Sequence, residues 1–285
     1  METLDRQFGA PTSLEDFERK AQMMNYVTYR ALFEGFFAHL WTKNSGRLLW
    51  MTHPAWPSHA WQIYSSDYDT HAAYYGTKKA NETIHVQMNL PDYQLAVINN
   101  ALTDLPNLTL SASVRSLDNA VLLEAQETLH VRANAVMNAT QLELPALLDA
   151  HGMVFVKLVL KDASGRVLSE NFYWEGRDES ALRKLNDLPR APLRLTATRK
   201  QTSDEVVVQV TLENSSNAAA LANKLTLLDA KGARILPAYY SDNYVSLLPG
   251  ERREIEVRYP ASKYTGIPTI ALRGWNAAPA TISAR

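Results

Sequence analysis

The chain has no cysteine among its 285 residues. Disulfides, thiolate nucleophiles, cysteine-ligated zinc and iron–sulfur clusters are therefore excluded together. Charge of one sign is also missing: 29 basic side chains stand against 30 acidic ones, for a formal net charge of -1. That balance gives no electrostatic case for nucleic acid or an anionic membrane as partner. No run of about 18 apolar residues occurs, and the opening METLDRQFGAPTSLEDFERK is charged where a signal peptide would be apolar. As written, the chain is expected to be soluble. Seven histidines, at 39, 53, 59, 71, 85, 130 and 151, fall in no His-Glu-x-x-His or comparable spacing, so neither a metal nor another cofactor is expected. A Gly-x-Ser-x-Gly elbow is lacking, and Gly76-Thr77-Lys78-Lys79 has no upstream glycine of a phosphate loop. Serine-hydrolase triads and nucleotide binding are without support.

What is present is a globular composition, 46% hydrophobic and 21% charged. At about 150 residues per domain, the length gives two domains or three small ones. Ser13 to about Lys43 reads as helix. Thr12-x-x-Glu15 fits a capping box, and Leu14, Phe17, Ala21 and Met24 recur at helical spacing. Beyond Met24 the apolar positions Tyr26, Tyr29, Phe33, Phe36, Phe37 and Leu40 cover more than one stripe, as in a helix buried on several sides. Asn44-Ser45-Gly46 ends the helix. Arg47-Leu48-Leu49-Trp50-Met51 then reads as a short strand buried on both faces. Long helix, tight turn and buried strand make the cadence of an α/β-barrel unit.

After Lys79 the chain is strand-rich: 84–88, 93–98, 108–114, 122–131 and 154–160 are β-prone runs, closing near Phe172-Tyr173-Trp174. Residues 177–192 read as a polar linker with one helical turn. Val206, Val208, Val210 and Leu212 then alternate with polar or exposed-type positions, as do Ile255, Val257 and Tyr259, the mark of an antiparallel sandwich. The expected fold class is mainly β: immunoglobulin-like β-sandwiches at 81–186 and 187–285, preceded at 1–80 by the end of a (β/α)8 barrel. A complete barrel takes about 250 residues, so most of the surface that would cover Tyr29, Phe33, Phe36, Phe37 and Leu40 is expected to be missing. Self-association through that helix follows, and removal of residues 1–80 should improve solubility.

The stretch from Trp50 to Tyr75, WMTHPAWPSHAWQIYSSDYDTHAAYY, concentrates aromatics, and Pro54 and Pro57 stiffen its backbone. After a barrel strand, that location is the catalytic mouth. Indoles there would stack on the flat C–H faces of sugar rings, or else cover the barrel rim and contact the next domain. Asp67-Tyr68-Asp69 reads as a solvated turn, since sequence neighbours seldom converge on one substrate atom. Tyr239, Tyr240 and Tyr244 lie in a turn-rich segment and suit either a carbohydrate-binding face or interdomain packing.

Trp50-Met51, Ala55-Trp56-Pro57-Ser58, Trp61-Gln62, Asp67-Tyr68 and Ala73-Tyr74-Tyr75-Gly76-Thr77-Lys78-Lys79-Ala80-Asn81-Glu82, followed by Ile84-His85-Val86-Gln87, closely resemble the end of the catalytic barrel in glycoside hydrolase family 2. The nearest branch is the exo-β-D-glucosaminidase and β-mannosidase-like enzymes. Asn171-Phe172-Tyr173-Trp174, Leu236-Pro237-Ala238-Tyr239-Tyr240 with Asp242-Asn243, Val245 to Glu251, and Arg273-Gly274-Trp275-Asn276 extend the resemblance over essentially the whole chain.

The resemblance implies the C-terminal part of a retaining β-glycosidase. Such enzymes use a glutamate acid/base and a glutamate nucleophile about 5 to 5.5 Å apart, carried after barrel strands 4 and 7. Trp50 resembles the tryptophan ending strand 8, so both glutamates would lie upstream of it. The upstream candidates Glu2, Glu15, Glu18 and Glu34 fall in the charged terminus or on the helix, away from any strand end. The chain is thus expected to lack both catalytic residues and to meet an oligosaccharide substrate only together with missing N-terminal domains. By the same resemblance, Trp50 floors the subsite of the non-reducing sugar, with Trp56 and Tyr68 lining the mouth. Thr52-His53 replaces the asparagine-led pair common in the branch. His53 is expected to contact a different sugar substituent or to pack at the rim.

Overall fold

A computed structural model describes residues 2–58, 62–90 and 92–285. The chain divides into two compact units, Met1–Thr12 with Met24–Trp50 and Gly76–Leu185, and Ser13–Met23 with Met51–Tyr75 and Asn186–Arg285.

The first unit contains helix α1 (Glu2–Phe8), residues 24–37 of α2 (Leu14–Phe37) and residues 76–80 of α3 (Ala72–Ala80). Its strands are β1 (Ile84–Met88), β2 (Gln94–Asn99), β3 (Leu105–Arg115), β4 (Val121–Val131), β5 (Ala135–Gln141), β6 (Met153–Lys161) and β7 (Val167–Gly176), with α4 (Leu144–His151) before β6. They form antiparallel sheets of order β1-β2-β5 and β4-β3-β6-β7. Val86, Met88, Leu95 and Val97 share one core with Leu110, Val114, Val156, Leu158 and Tyr173. Period-two geometry sends the alternate residues to the opposite face. There Ala96 and Ile98 meet Phe37 and Leu40, and Gln87 Nε2 donates to the Glu34 carbonyl at 2.9 Å.

Two expectations are corrected here. The face of α2 expected to have no cover has an internal partner: Phe33 and Leu40 are buried, and Phe37 and Leu40 pack on the β1-β2-β5 sheet. The segment 47–51 forms no strand, and Leu48 is 95% exposed. An apolar run becomes a buried parallel strand only where neighbours satisfy its amides on both edges, and no described strand pairs with it. Residues 179–187 form a 3-10 helix where one helical turn is expected.

In the second unit, β8 (Leu193–Gln201), β9 (Glu205–Asn214), β10 (Ala220–Leu228), β11 (Tyr239–Tyr240), β12 (Val245–Leu247), β13 (Arg252–Pro260), β14 (Thr269–Arg273) and β15 (Ala280–Ser283) make two four-stranded antiparallel sheets. Their orders are β12-β10-β14-β15 and β11-β13-β9-β8. The alternation read in the sequence is realised in register: Val206 faces Tyr259, Val208 faces Val257 and Val210 faces Ile255, all fully buried. Buried asparagines stitch the loops to the sheets. Asn214 Nδ2 donates to the carbonyls of Ala218 and Leu247 at 2.8 and 3.0 Å. Asn243 accepts from the Leu225 amide at 2.7 Å and donates to its carbonyl at 3.0 Å, standing in for a strand residue. Ser13 and residues 14–23 of α2 also belong to this unit. The helix is capped by Ser13, whose Oγ accepts from the Asp16 amide at 3.1 Å.

Candidate functional site

The four residues expected to bind sugar fall as follows. Trp50, in the first unit, is 80% exposed. His53, Trp56 and Tyr68 are in the second unit, on the loop 51–75. Trp56 is 69% exposed. His53 and Tyr68 come together, their rings stacked with centroids 4.3 Å apart and planes 14° from parallel. His59 and Trp61, part of the same aromatic stretch, lie outside the described residues.

The loop owes its shape to a compact set of hydrogen bonds. The amides of Ile63 and Tyr64 both donate to the Thr52 carbonyl at 3.1 Å. Further on, the Ser65 amide donates to the Asp69 carbonyl at 3.0 Å, and the Asp69 amide returns to Ser65 Oγ at 3.1 Å. Tyr68 at the tip has φ 64°, a left-handed conformation that is unfavourable for a residue with a Cβ and needs support from its surroundings. Support comes from both flanking carboxylates. Arg234 donates from Nη2 to Asp67 Oδ2 at 2.5 Å and from Nη1 to Asp69 Oδ2 at 2.7 Å. Partial burial pushes the Asp67 carboxyl up, but hydrogen bonds from the Ser65 hydroxyl and the Asp69 amide, with the Arg234 charge, outweigh it and hold Asp67 below its ordinary value. The Asp67-Tyr68-Asp69 turn thus spends its charge on an arginine about 165 positions downstream, which local sequence patterns could not reveal.

The three tyrosines that suit either a carbohydrate-binding face or packing do not share one exposed face. Tyr240 is buried and its OH accepts from the Leu227 amide at 2.8 Å. Tyr244 is buried with its ring centroid 5.8 Å from that of Tyr75, and only Tyr239 is exposed. In the first unit a hollow of about 400 Å³ opens beside Ser111, Ser113, Glu124, Gln126 and Lys157; no aromatic is among the described residues lining it.

Perturbed titratable groups often mark functional sites, and one cluster of them lies in the interior of the first unit. Glu34 Oε1 accepts from Asn171 Nδ2 at 2.7 Å and from the Tyr173 hydroxyl at 3.0 Å, and lies 3.1 Å from His85 Nε2. The other nitrogen of His85 lies 3.2 Å from Glu82 Oε2, which also accepts from Ser169 Oγ at 2.7 Å. Lys79 donates to Glu82 Oε1 at 2.7 Å. Arg30 reaches the Phe172 carbonyl at 2.6 Å and lies over the Tyr173 ring at 4.1 Å. Burial alone would lower the His85 pKa, but hydrogen bonds and charge from Glu34 and Glu82 raise it. Glu82 is brought down to about 2, because His85 and Lys79 overcome its desolvation. Glu175 is pushed up to about 7 by burial, with the Glu34 charge adding to it.

Sequence reasoning missed this network; its only signal was the polar alternation of His85 and Gln87 within β1. Glu34 and His85 are buried and engaged on both sides, so the network locks α2 to β1 and β7 and offers no face to a substrate. The other glutamates upstream of Trp50 lie in surface ion pairs or on exposed helix: Glu18 meets Arg273 at 2.6 Å and Glu15 meets it at 3.7 Å, while Glu2 is exposed in α1. Among the described residues, no group of three or more His, Asp or Glu side chains is placed to hold a metal ion.

With this geometry in view, the similarities are specific. A family model described as the exo-beta-D-glucosaminidase Ig-fold domain matches residues 171–277. One described as a mannosidase Ig/CBM-like domain matches residues 92–175. A mannosylglycoprotein endo-beta-mannosidase of Lilium longiflorum is 30% identical over 331 residues, covering 94% of this chain and 34% of that protein. An exo-beta-D-glucosaminidase of Amycolatopsis orientalis is 31% identical over 309 residues, covering 99% of this chain and 30% of that protein. The crystal structure of the Amycolatopsis orientalis exo-chitosanase CsxA superposes with a TM-score of 0.92 at 29% identity, over 99% of this chain and 36% of that one. A beta-D-mannosidase from Dictyoglomus thermophilum shares the fold, with a TM-score of 0.73 at 17% identity over 96% of this chain and 31% of that one. The chain spans about a third of the length of these relatives.

Proposed function

From a chain that belongs to glycoside hydrolase family 2, with the immunoglobulin-like domains of its exo-β-D-glucosaminidase and mannosidase branch and likeness to the C-terminal part of those enzymes, we propose a non-catalytic portion of a retaining β-glycosidase that acts on terminal β-linked sugars of oligosaccharides. Residues 1–80 form the end of the catalytic barrel, and 81–186 and 187–285 are the sandwiches that brace it. Trp50, His53, Trp56 and Tyr68 contribute to the wall that holds the sugar, and both catalytic carboxylates come from elsewhere in the enzyme. The observation that carries this reading is the exposure of Trp50: an indole 80% open to solvent costs apolar contact with water unless something stacks on it. The engagement of Glu34 by His85, Asn171 and Tyr173 supports the absence of a catalytic pair. Left without the rest of the enzyme, the chain self-associates through Leu48 and Trp50, exposed just after the helix whose Phe33 and Phe37 are covered.

The test is complementation. The purified chain should hydrolyse no aryl β-D-mannoside, β-D-galactoside or β-D-glucosaminide, and adding the N-terminal polypeptide with the remaining barrel should restore turnover of one of them. Turnover by the chain by itself would locate a carboxylate pair within these residues and overturn the proposal. Continued inactivity of a well-folded complex would also count against it. The burial of Tyr240 and Tyr244 disfavours a separate carbohydrate-binding face on the second sandwich.

A further inference from the structure

Arg234 is set on a rigid base. The turn before it is closed by the Asp229 amide donating to the Ala233 carbonyl at 2.8 Å, and by Asp229 Oδ1 accepting from the amides of Lys231 and Ala233 at 2.8 Å each. Arg234 itself bridges back to Leu228, and the next amide, that of Ile235, donates to the Leu227 carbonyl at 3.1 Å. From this base the guanidinium fork reaches the two carboxylates on either side of Tyr68. An exposed ion pair usually contributes little to stability because solvent screens it. A planar fork that engages two carboxylates, one with each terminal nitrogen, fixes geometry as well as charge. Tyr68 is the residue held between them, in a backbone conformation it would not keep unaided. Its ring in turn covers His53, whose Nε2 is buried with no hydrogen-bond partner among the described residues.

We propose that Arg234 is a positioning residue for sugar binding: it fixes the Asp67-Tyr68-Asp69 turn, and thereby the His53–Tyr68 stack, in the orientation the substrate meets. The inference rests on the assignment of this loop to the sugar-binding wall. It also gives the second sandwich a direct part in substrate affinity, because the sandwich supplies the arginine and the loop supplies the contact.

The test uses R234M and R234K with two readouts. In this chain, the stacked Tyr68 ring should shift the His53 ring protons upfield in the NMR spectrum. R234M should abolish that shift while leaving the core resonances of Val208 and Val257 in place, and R234K, which can reach one carboxylate at a time, should restore part of it. In the enzyme reconstituted with its N-terminal polypeptide, R234M should raise KM by about tenfold to a hundredfold, the cost of misplacing a binding group by an ångström or so. Its effect on kcat should be smaller. If R234M does not fold, the D67N/D69N double variant releases the same clamp from the loop side and is read in the same way. A His53 shift unchanged in both variants overturns the proposal. A shift that is lost while KM stays the same overturns it too, together with the placement of this loop at the sugar. An inactive unsubstituted complex defeats only the proposed function, since the ring shifts still decide whether Arg234 holds the loop.

Discussion

The two units differ in whether charge enters their buried polar networks: both use amides, Asn99 and Asn171 in the first and Asn214 and Asn243 in the second, and the first adds an ionisable chain. In the first, the helix-facing side of β1 is held by ionisable groups: Glu34, His85, Glu82 and Lys79 form a continuous chain of contacts, and Arg30 lies 3.8 Å from Glu34. In the second, the same task falls to neutral amides and a phenol, with Asn214, Asn243 and Tyr240 bonding to backbone groups of neighbouring strands. A buried ion pair costs desolvation of both members and is strongly destabilising once one member is removed. A buried amide loses only its own hydrogen bonds. The first unit should therefore be the more sensitive to single substitutions at its buried polar groups.

The widest expected departure is from deletion of residues 1–80. Glu34, Phe37 and Leu40 go with them, leaving His85 without its Glu34 partner and Ala96 and Ile98 uncovered. Contrary to the expectation of improved solubility, the truncated chain should lose its cooperative unfolding transition, as seen by circular dichroism. Next in size, Glu34→Ala should cost about 3–5 kcal/mol by urea unfolding, against about 1–3 kcal/mol for Asn243→Ala. Equal losses would erase the contrast between the units.

The pH dependence should be smaller and of defined sign. The folded pKa of His85 lies above its ordinary value of 6.5, so its contribution is fully present below that value and is lost as pH rises through the raised one. Glu82 falls from 4.5 to about 2, so its contribution is present above 4.5 and is lost as pH drops toward 2. Protection of the Val86 amide, its exchange rate taken relative to the intrinsic rate at each pH, should accordingly be greatest between these limits. Smallest of all, Trp50→Ala should leave stability within about 0.5 kcal/mol, because that indole packs on little, and yet it should abolish turnover gained on complementation.

Legibility in the sequence followed the range of the forces involved. The alternation of Val206 to Leu212 and of Ile255 to Tyr259 was visible because the period of a strand is local, and the register confirms both faces. The start of α2 was visible to within one residue, with Ser13 taking the capping role expected of Thr12. The segment 47–51 was misread because an apolar run specifies burial without specifying a neighbour, and no strand among the described residues pairs with it. Tyr240 and Tyr244 were ambiguous for the opposite reason. A tyrosine near turns can face water or core, and the choice was made by the Leu227 amide for one and by the Tyr75 ring for the other. Of the site, the aromatic residues and their concentration could be read directly. The His53–Tyr68 stack and the arginine that governs it could not.

What the sequence by itself determined is therefore the part written in short-range pattern: a mainly β chain, one long helix, no thiol chemistry, and an aromatic stretch whose motifs resemble a glycosidase barrel end. Only the tertiary structure decided which polar residues bury charge and which bury amides, that Glu34 secures a helix to a sheet, and that Arg234 clamps the turn around Tyr68. These choices depend on pairs such as Glu34–His85 and Asp67–Arg234, separated by 51 and 167 residues. Charge and hydrogen bonding act through space over a few ångströms, and no periodicity along the chain records which distant residues the fold will bring that close.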